Sequence, residues 1–220
     1  MEPMSRIQVV VADDHAVIRV ALTQTLSANP VFEVVGAARS GSELLKMLTT
    51  VACGLIVTDF TMQAFGADED GLRLVMQLRR RFPAIPIVIF TSLTNGGILQ
   101  QLCQLGVAGI VGKGENLDVL EQACIKALSK ETRTFLSPGL SGHLAERGNT
   151  EEEFRDARDL SPRELEVVRL FALGWSVTEI AGQLHRSVTT VATQKSSAMR
   201  KLHIDTNANL VKYAQEQGLI

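Results

Sequence analysis

Along the first 130 residues, short apolar runs alternate with stretches whose apolar positions recur every three or four residues. The runs are IQVVVA (7–12), FEVVGA (32–37), GLIVTDF (54–60), IPIVIFT (85–91) and AGIVGK (108–113), rich in Val and Ile and mostly apolar at successive positions. A strand with one wet face alternates apolar and polar residues, whereas a parallel strand covered on both sides is apolar throughout. Between them, SGSELLKMLTT (40–50), GLRLVMQLRRRF (71–82), NGGILQQLCQLG (95–106) and ENLDVLEQACIKALSK (115–130) read as helices. Five strand-then-helix repeats predict an α/β domain with a doubly wound, five-stranded parallel sheet.

The pattern changes after residue 130. KETRTFLSPGL (130–140) suggests a short helix, and SGHLAERGNTEEEFRDARD (141–159) carries Gly, Ser and dense charge with few apolar residues, as a solvated linker does. From Leu160 onward no strand pattern returns. Ser161 and Glu164 form a capping box with Pro162 at the first helical position, opening a helix that runs to Gly174. Ser176 and Glu179 repeat the spacing for a helix through Leu184, Ser187 can cap a third, and Thr206 or Asn207 a fourth ending near Gly218. The expected organisation is therefore an α/β domain over 5–130, a linker over 131–159 and an all-α four-helix module over 160–220.

Composition narrows the class. The chain has 220 residues, 45% hydrophobic and 21% charged, which excludes fibrous and disordered classes. No apolar run approaches the roughly 18 residues of a membrane span, so no membrane partner is expected. MEPMSRIQVV lacks the basic segment, apolar core and cleavage site of a secretory signal, so the expected location is cytoplasmic. Cys53, Cys103 and Cys124 are widely spaced, with no CxxC pair, and read as small core residues. Charge is uneven: residues 1–130 carry 11 Lys and Arg against 12 Asp and Glu, residues 131–159 carry 4 against 7, and residues 160–220 carry 7 against 5. The only net-positive part is the helical module, which hints at a polyanion partner there.

The polar residues at the strand ends suggest the chemistry. Ligands of doubly wound sheets bind outside the carboxyl ends of the strands. Asp13 and Asp14 end the first strand, Asp59 the third, Thr91 the fourth and Lys113 the fifth. Adjacent like charges repel, and burial raises the cost of ionising them, so three carboxylates gathered together call for a hard cation. Mg2+ takes oxygen ligands and retains waters. A lone lysine and a hydroxyl at the same edge suit a phosphoryl group.

This set, an acidic pair, an acceptor Asp, a Thr and a Lys, resembles the receiver domain of two-component response regulators. The resemblance implies that Asp59 accepts a phosphoryl group, with Thr91 and Lys113 on the phosphoryl oxygens. It further implies that Mg2+ is bound by Asp14, Asp59 and the Thr61 carbonyl, and through a water by Asp13. The sequence departs from the common pattern at several points. Ile110 stands where the family usually carries Tyr or Phe, Gly114 follows Lys113 where many members have Pro, and Gln63 replaces another usual Pro. The loop MQAFGADEDG (62–71) is long, and Asp68, Glu69 and Asp70 add negative charge to it. His15 beside the pair is expected to start a helix rather than act chemically.

Residues 160–204 resemble the LuxR-type helix-turn-helix of the NarL/FixJ subgroup, through SPRE (161–164), EIA (179–181), TV (190–191) and RKL (200–202). The long loop after Asp59, the VTEIA run and QKSSAM (194–199) narrow the resemblance to the capsule-regulator branch of that subgroup. In the helix from Val188, Val191, Ala198, Met199 and Leu202 fall on one face and are expected to pack inward. Thr189, Ala192, Thr193, Ser196 and Arg200 fall on the other, where base edges could be met, with Lys195 and Lys201 bordering it toward phosphates.

The expected protein is not an enzyme in the usual sense but a phosphorylation-controlled DNA-binding transcriptional regulator. Its expected partners are a sensor histidine kinase or phosphotransfer protein, double-stranded promoter DNA, and a second copy of itself or another regulator in a dimer. Two alternatives stay open: a regulator controlled by partner association without phosphate, and a Mg2+-dependent phosphohydrolase, which would leave residues 160–220 without a role.

Overall fold

A computed structural model describes residues 6–62, 71–129, 133–145 and 160–220. The chain divides into two compact units, residues 1–92 with 101–142, and residues 93–100 with 143–220. Among the described residues, no helix is long and apolar enough to cross a membrane.

The first unit holds a parallel sheet: β1 (Ile7–Ala12), β2 (Phe32–Ala38), β3 (Leu55–Thr58), β4 (Ile87–Thr91), β5 (Gly109–Gly112) and β6 (Phe135–Leu136). The strand order is β2-β1-β3-β4-β5-β6, so the chain reverses direction across the sheet between β1 and β3. Helices α1 (Ala16–Ala28), α2 (Gly41–Met47), α3 (Gly71–Arg81), α4 (Gly96–Gln104) and α5 (Leu117–Ala127) connect successive strands. Val9, Val11, Val57, Val88 and Phe90 pack on Leu22 and Leu26 of α1 and on Leu120, Ala123 and Cys124 of α5. The alternating residues Val10, Ile56, Ile89 and Ile110 are equally buried, as a sheet covered on both faces requires. On β2 the register slips between Val9 and Val10, so that Gly36 rather than Val35 pairs with Val10. The extra residue turns Gly36 under α2, where a Cβ would lie 2.2 Å from Met47 Sδ.

The five expected strands form, but the sheet has six. Phe135 and Leu136 add parallel to β5, pairing with Gly109 and Ile110. The stretch read as the start of a helix is thus a short edge strand, and the helix, α6 (Pro138–Ala145), begins only at the proline. Proline favours that first helical position because it brings no N–H to satisfy. Most of the expected loop 62–71, including Gln63, Asp68, Glu69 and Asp70, and the linker residues 146–159 lie outside the described residues.

The second unit contains α7 (Pro162–Ala172), α8 (Val177–Gln183), α9 (Val188–Lys201) and α10 (Asn207–Glu216). Both expected capping boxes are present, Ser161 with Glu164 and Ser176 with Glu179. Ser187 and Thr206 cap α9 and α10 through their hydroxyls. Gly174 closes α7 at φ +94, a backbone conformation that costs glycine little. The core joins Leu165, Val167, Val168 and Leu170 to Ile180, Val191, Ala198, Leu210 and Ala214. Trp175 is half-buried. Of the three cysteines only Cys124 is buried in the core, while Cys53 and Cys103 are half-buried; burial raises all three thiols, Cys124 to about 12.

Candidate functional site

Each strand end is fixed by a backbone bond to its neighbour. Asp13 N–H donates to the Ala38 carbonyl, Asp59 N–H to Ala12, and Lys113 N–H to Thr91, at 3.1, 2.8 and 2.7 Å. The ladder therefore delivers the side chains of Asp13, Asp59, Thr91 and Lys113 to one edge. Asp13, Asp59 and Thr91 are buried there at 0%, 4% and 1% exposure. Lys113 Nζ lies 2.6 Å from Asp59 Oδ2 and 2.7 Å from Asp13 Oδ2, so one ammonium is shared by two carboxylates. The other Asp59 oxygen accepts the Phe60 N–H at 2.7 Å.

Burial pushes the Asp59 carboxyl up to about 6, against the pull of Lys113, and Asp13 adds to the rise. Burial alone would lower the Lys113 ammonium, but Asp59 and Asp13 outweigh it and hold it above the usual lysine range. Asp14 gathers with Asp13 and His15, whose ligand atoms lie within 4.8 Å of one another. Asp13 and Asp59 against one lysine leave the strand-end pocket net negative, and the carboxylate donor atoms are all oxygen. The Thr61 backbone N–H donates to the Asp59 carboxylate, and Thr61 Oγ1 is buried with no hydrogen-bond partner among the described residues. That donor set fits a hard divalent cation better than a soft one.

Two residues support the acidic pair from α1. His15 is the N-cap of α1, as expected, yet its Nδ1 also lies 2.7 Å from Asp14 Oδ1, and its N–H donates to Asp13 Oδ1 at 2.8 Å. Arg19 was missed from the sequence. Its guanidinium donates to the carbonyls of Asp13 and Asp14, at 2.7 and 2.9 Å, and so fixes the turn that carries both carboxylates. The signal available was only a cation five residues beyond the pair on an amphipathic helix.

In the second unit, α9 has the two faces its sequence predicts. Val191 and Ala198 are buried, and Met199 and Leu202 half-buried. Thr189, Ala192, Thr193, Ser196 and Arg200 are exposed. The turn from α8 into α9 passes through His185 at φ +50, and Arg186 then bonds Gln194 at 3.0 Å. The two lysines are more engaged than their helical positions suggest. Lys195 Nζ sits 3.7 Å from the centre of the Phe171 ring and 2.7 Å from Asn207 Oδ1, and partial burial lowers its pKa. Lys201 Nζ donates to Glu164 Oε2 at 2.7 Å, tying the end of α9 to the start of α7. Lys201 is thus a structural tie rather than a free cation at the border of the exposed face.

Both units match families. Residues 9–125 match the response regulator receiver domain, and residues 158–214 match the bacterial regulatory proteins of the luxR family. The chain is a response regulator. It is 34% identical to the transcriptional regulatory protein RcsB of Escherichia coli K12, over 96% of this chain and 94% of that one. It is 28% identical to the response regulator protein VraR of Staphylococcus aureus, over 97% and 99%. Among solved structures, RcsB of Salmonella enterica serovar Typhimurium, bound to the rprA promoter with the phosphomimetic BeF3-, superposes with a TM-score of 0.78 at 30% identity. That match covers 96% of this chain and 99% of the other. The response regulator therefore joins a receiver to a LuxR-type DNA-binding domain, and the phosphohydrolase alternative falls away: this is a regulator of transcription, not an enzyme.

Proposed function

We propose that Asp59 accepts a phosphoryl group from a histidine kinase or phosphotransfer protein, and that this modification promotes dimerisation and binding of α9 to promoter DNA. The observation that carries this reading is the buried strand-end pocket in which Asp59 and Asp13 share Lys113. An Asp59 carboxylate oxygen bonds to phosphorus as the donor's P–N bond breaks, and the donor histidine leaves as imidazole. Lys113 then exchanges its carboxylate contacts for phosphoryl oxygens, and the Thr91 hydroxyl supplies a further hydrogen bond. Asp14, Asp59 and the Thr61 carbonyl would hold Mg2+, with Asp13 acting through a water. When bound, Mg2+ neutralises charge on the phosphoryl oxygens.

The domain limits proposed are 5–130 for the receiver, 131–159 for the linker and 160–220 for the DNA-binding domain, and the setting is cytoplasmic, where a promoter is found. Thr189, Ala192, Thr193, Ser196 and Arg200 would face base edges and nearby phosphates. Lys195 reaches a phosphate by exchanging Asn207 for it. Dimerisation is supported by RcsB, whose structures include two dimers bound to two parallel DNAs. The partner is a second copy or another regulator.

The test is direct. Full-length protein incubated with a phosphodonor and Mg2+ should form an acid-stable, base-labile acyl phosphate that is lost in Asp59→Ala. Label that persists in that variant removes the assignment. One observation favours a second reading: Ile110 is fully buried at the place where the family carries a switch aromatic. A regulator driven by partner association alone would bind DNA equally well as Asp59→Ala.

A further inference from the structure

Lys113 is bracketed by the segment that leads out of the receiver. On one side, Gly112 N–H donates to Ser137 Oγ at 3.3 Å. On the other, Glu115 Oε1 accepts the Gly139 N–H at 2.8 Å, capping the first turn of α6. Ser137 is fully buried, and its own N–H donates to the Ile110 carbonyl at 3.0 Å. Residues 112–115 are closed into a tight turn by the bond from Glu115 N–H to the Gly112 carbonyl, at 3.0 Å. Leu140 is 4% exposed and lies against Gly112, where an added Cβ would be 3.7 Å from its Cγ.

The physical consequence concerns how a change at Asp59 leaves the pocket. Lys113 holds two carboxylates, so a phosphoryl group on Asp59 must redirect its ammonium and shift the turn that carries it. Ile110, three residues before Lys113, is an aliphatic side chain packed in the core, with no ring to swing toward Thr91. A buried serine and a capped helix N-terminus respond to displacement in steps, because a hydrogen bond weakens steeply once its geometry is lost. We propose that Phe135–Leu140 is an output element of the receiver, in which Glu115 and Ser137 pass the position of Lys113 to the N-terminus of α6. This rests on Asp59 being the phosphoacceptor. Glu115 is then a positioning residue: it touches neither the phosphoryl group nor the metal ligands, and acts through the Gly139 amide.

The experiment uses the full chain with acetyl phosphate and Mg2+, reading acyl phosphate on Asp59 and hydrogen exchange at 135–142 in the same samples. In the wild type, phosphorylation should change exchange at Gly139 and Leu140 on the order of tenfold, the worth of one hydrogen bond. Glu115→Ala should be phosphorylated to the wild-type level, exchange faster at Gly139 without phosphate, and show no further response. Glu115→Gln, which keeps the acceptor oxygen, should restore the response, and Ser137→Ala should reduce it. Labelled wild-type protein with unchanged exchange at 135–142, or a Glu115→Ala protein that responds like the wild type, overturns the proposal. Absence of acyl phosphate from the wild type overturns the phosphoacceptor reading itself, and the label distinguishes the two failures.

Discussion

Replacing Glu164 should uncouple the end of α9 from the body of the DNA-binding module. Its Oε2 accepts from the Ser161 N–H, the Ser161 hydroxyl and Lys201 Nζ, each at 2.7 Å. Burial alone would raise this carboxyl, but Lys201, Ser197 and Ser161 outweigh it and hold it at about 2. Glu164→Gln keeps an acceptor for Ser161 and loses the ion pair, a cost of about 1 kcal/mol. Glu164→Ala also loses the capping box, so about 2–3 kcal/mol is expected. Trp175 is the only tryptophan, so its fluorescence in urea follows this module and not the receiver. With a slope of about 1 kcal/mol/M for so small a unit, Glu164→Ala should lower the midpoint by about 2–3 M.

The pH dependence has a definite sign. The folded carboxyl titrates below its ordinary 4.5, so its stabilisation is complete above that value and is lost as pH falls through about 2. The full shift sets a ceiling of roughly 3 kcal/mol, and solvent around Lys201, 28% exposed, brings it to about 1–2 kcal/mol. Glu164→Gln should flatten this acid limb. An unchanged midpoint in Glu164→Ala, or an acid limb identical in Glu164→Gln, would refute the tie.

Two further outcomes concern function. Lys195→Ala should lower the salt slope of DNA binding by about one unit, with loss of affinity for all sequences, while Thr193→Ala should cost on the order of 1 kcal/mol at one half-site position and leave the slope unchanged. Asp14→Ala should weaken divalent-ion binding measured by calorimetry and slow formation of the acyl phosphate, without lowering the Trp175 midpoint.

Much of this was legible in the sequence because the signals are local. Buried parallel strands announce themselves as unbroken Val and Ile runs, and their ends locate Asp13, Asp59, Thr91 and Lys113 without reference to the third dimension. The caps at Ser161, Ser176, Ser187 and Thr206 are equally local, each a hydroxyl three residues before the amide it binds. What was missed depends on distant partners. Phe135–Leu136 is too short to show a period, and it becomes a strand only because β5 presents an open edge to it. Arg19 serves backbone carbonyls, which no side-chain pattern reveals. Lys201 lies on the expected margin of α9, but Glu164, 37 positions earlier, takes its charge. A helical wheel gives the direction of a side chain and says nothing of what stands in that direction.

The central claim, that a phosphoryl group on Asp59 controls DNA binding, is tested most directly by selecting bound fragments from a genomic DNA library. The full-length protein and Asp59→Ala would be compared with Mg2+, each with and without acetyl phosphate. Phosphorylated wild type should enrich discrete sites built as a two-fold repeat, because a dimer presents two α9 helices. Unphosphorylated wild type and Asp59→Ala should enrich them far less. Equal enrichment of the same sites by Asp59→Ala would contradict the account.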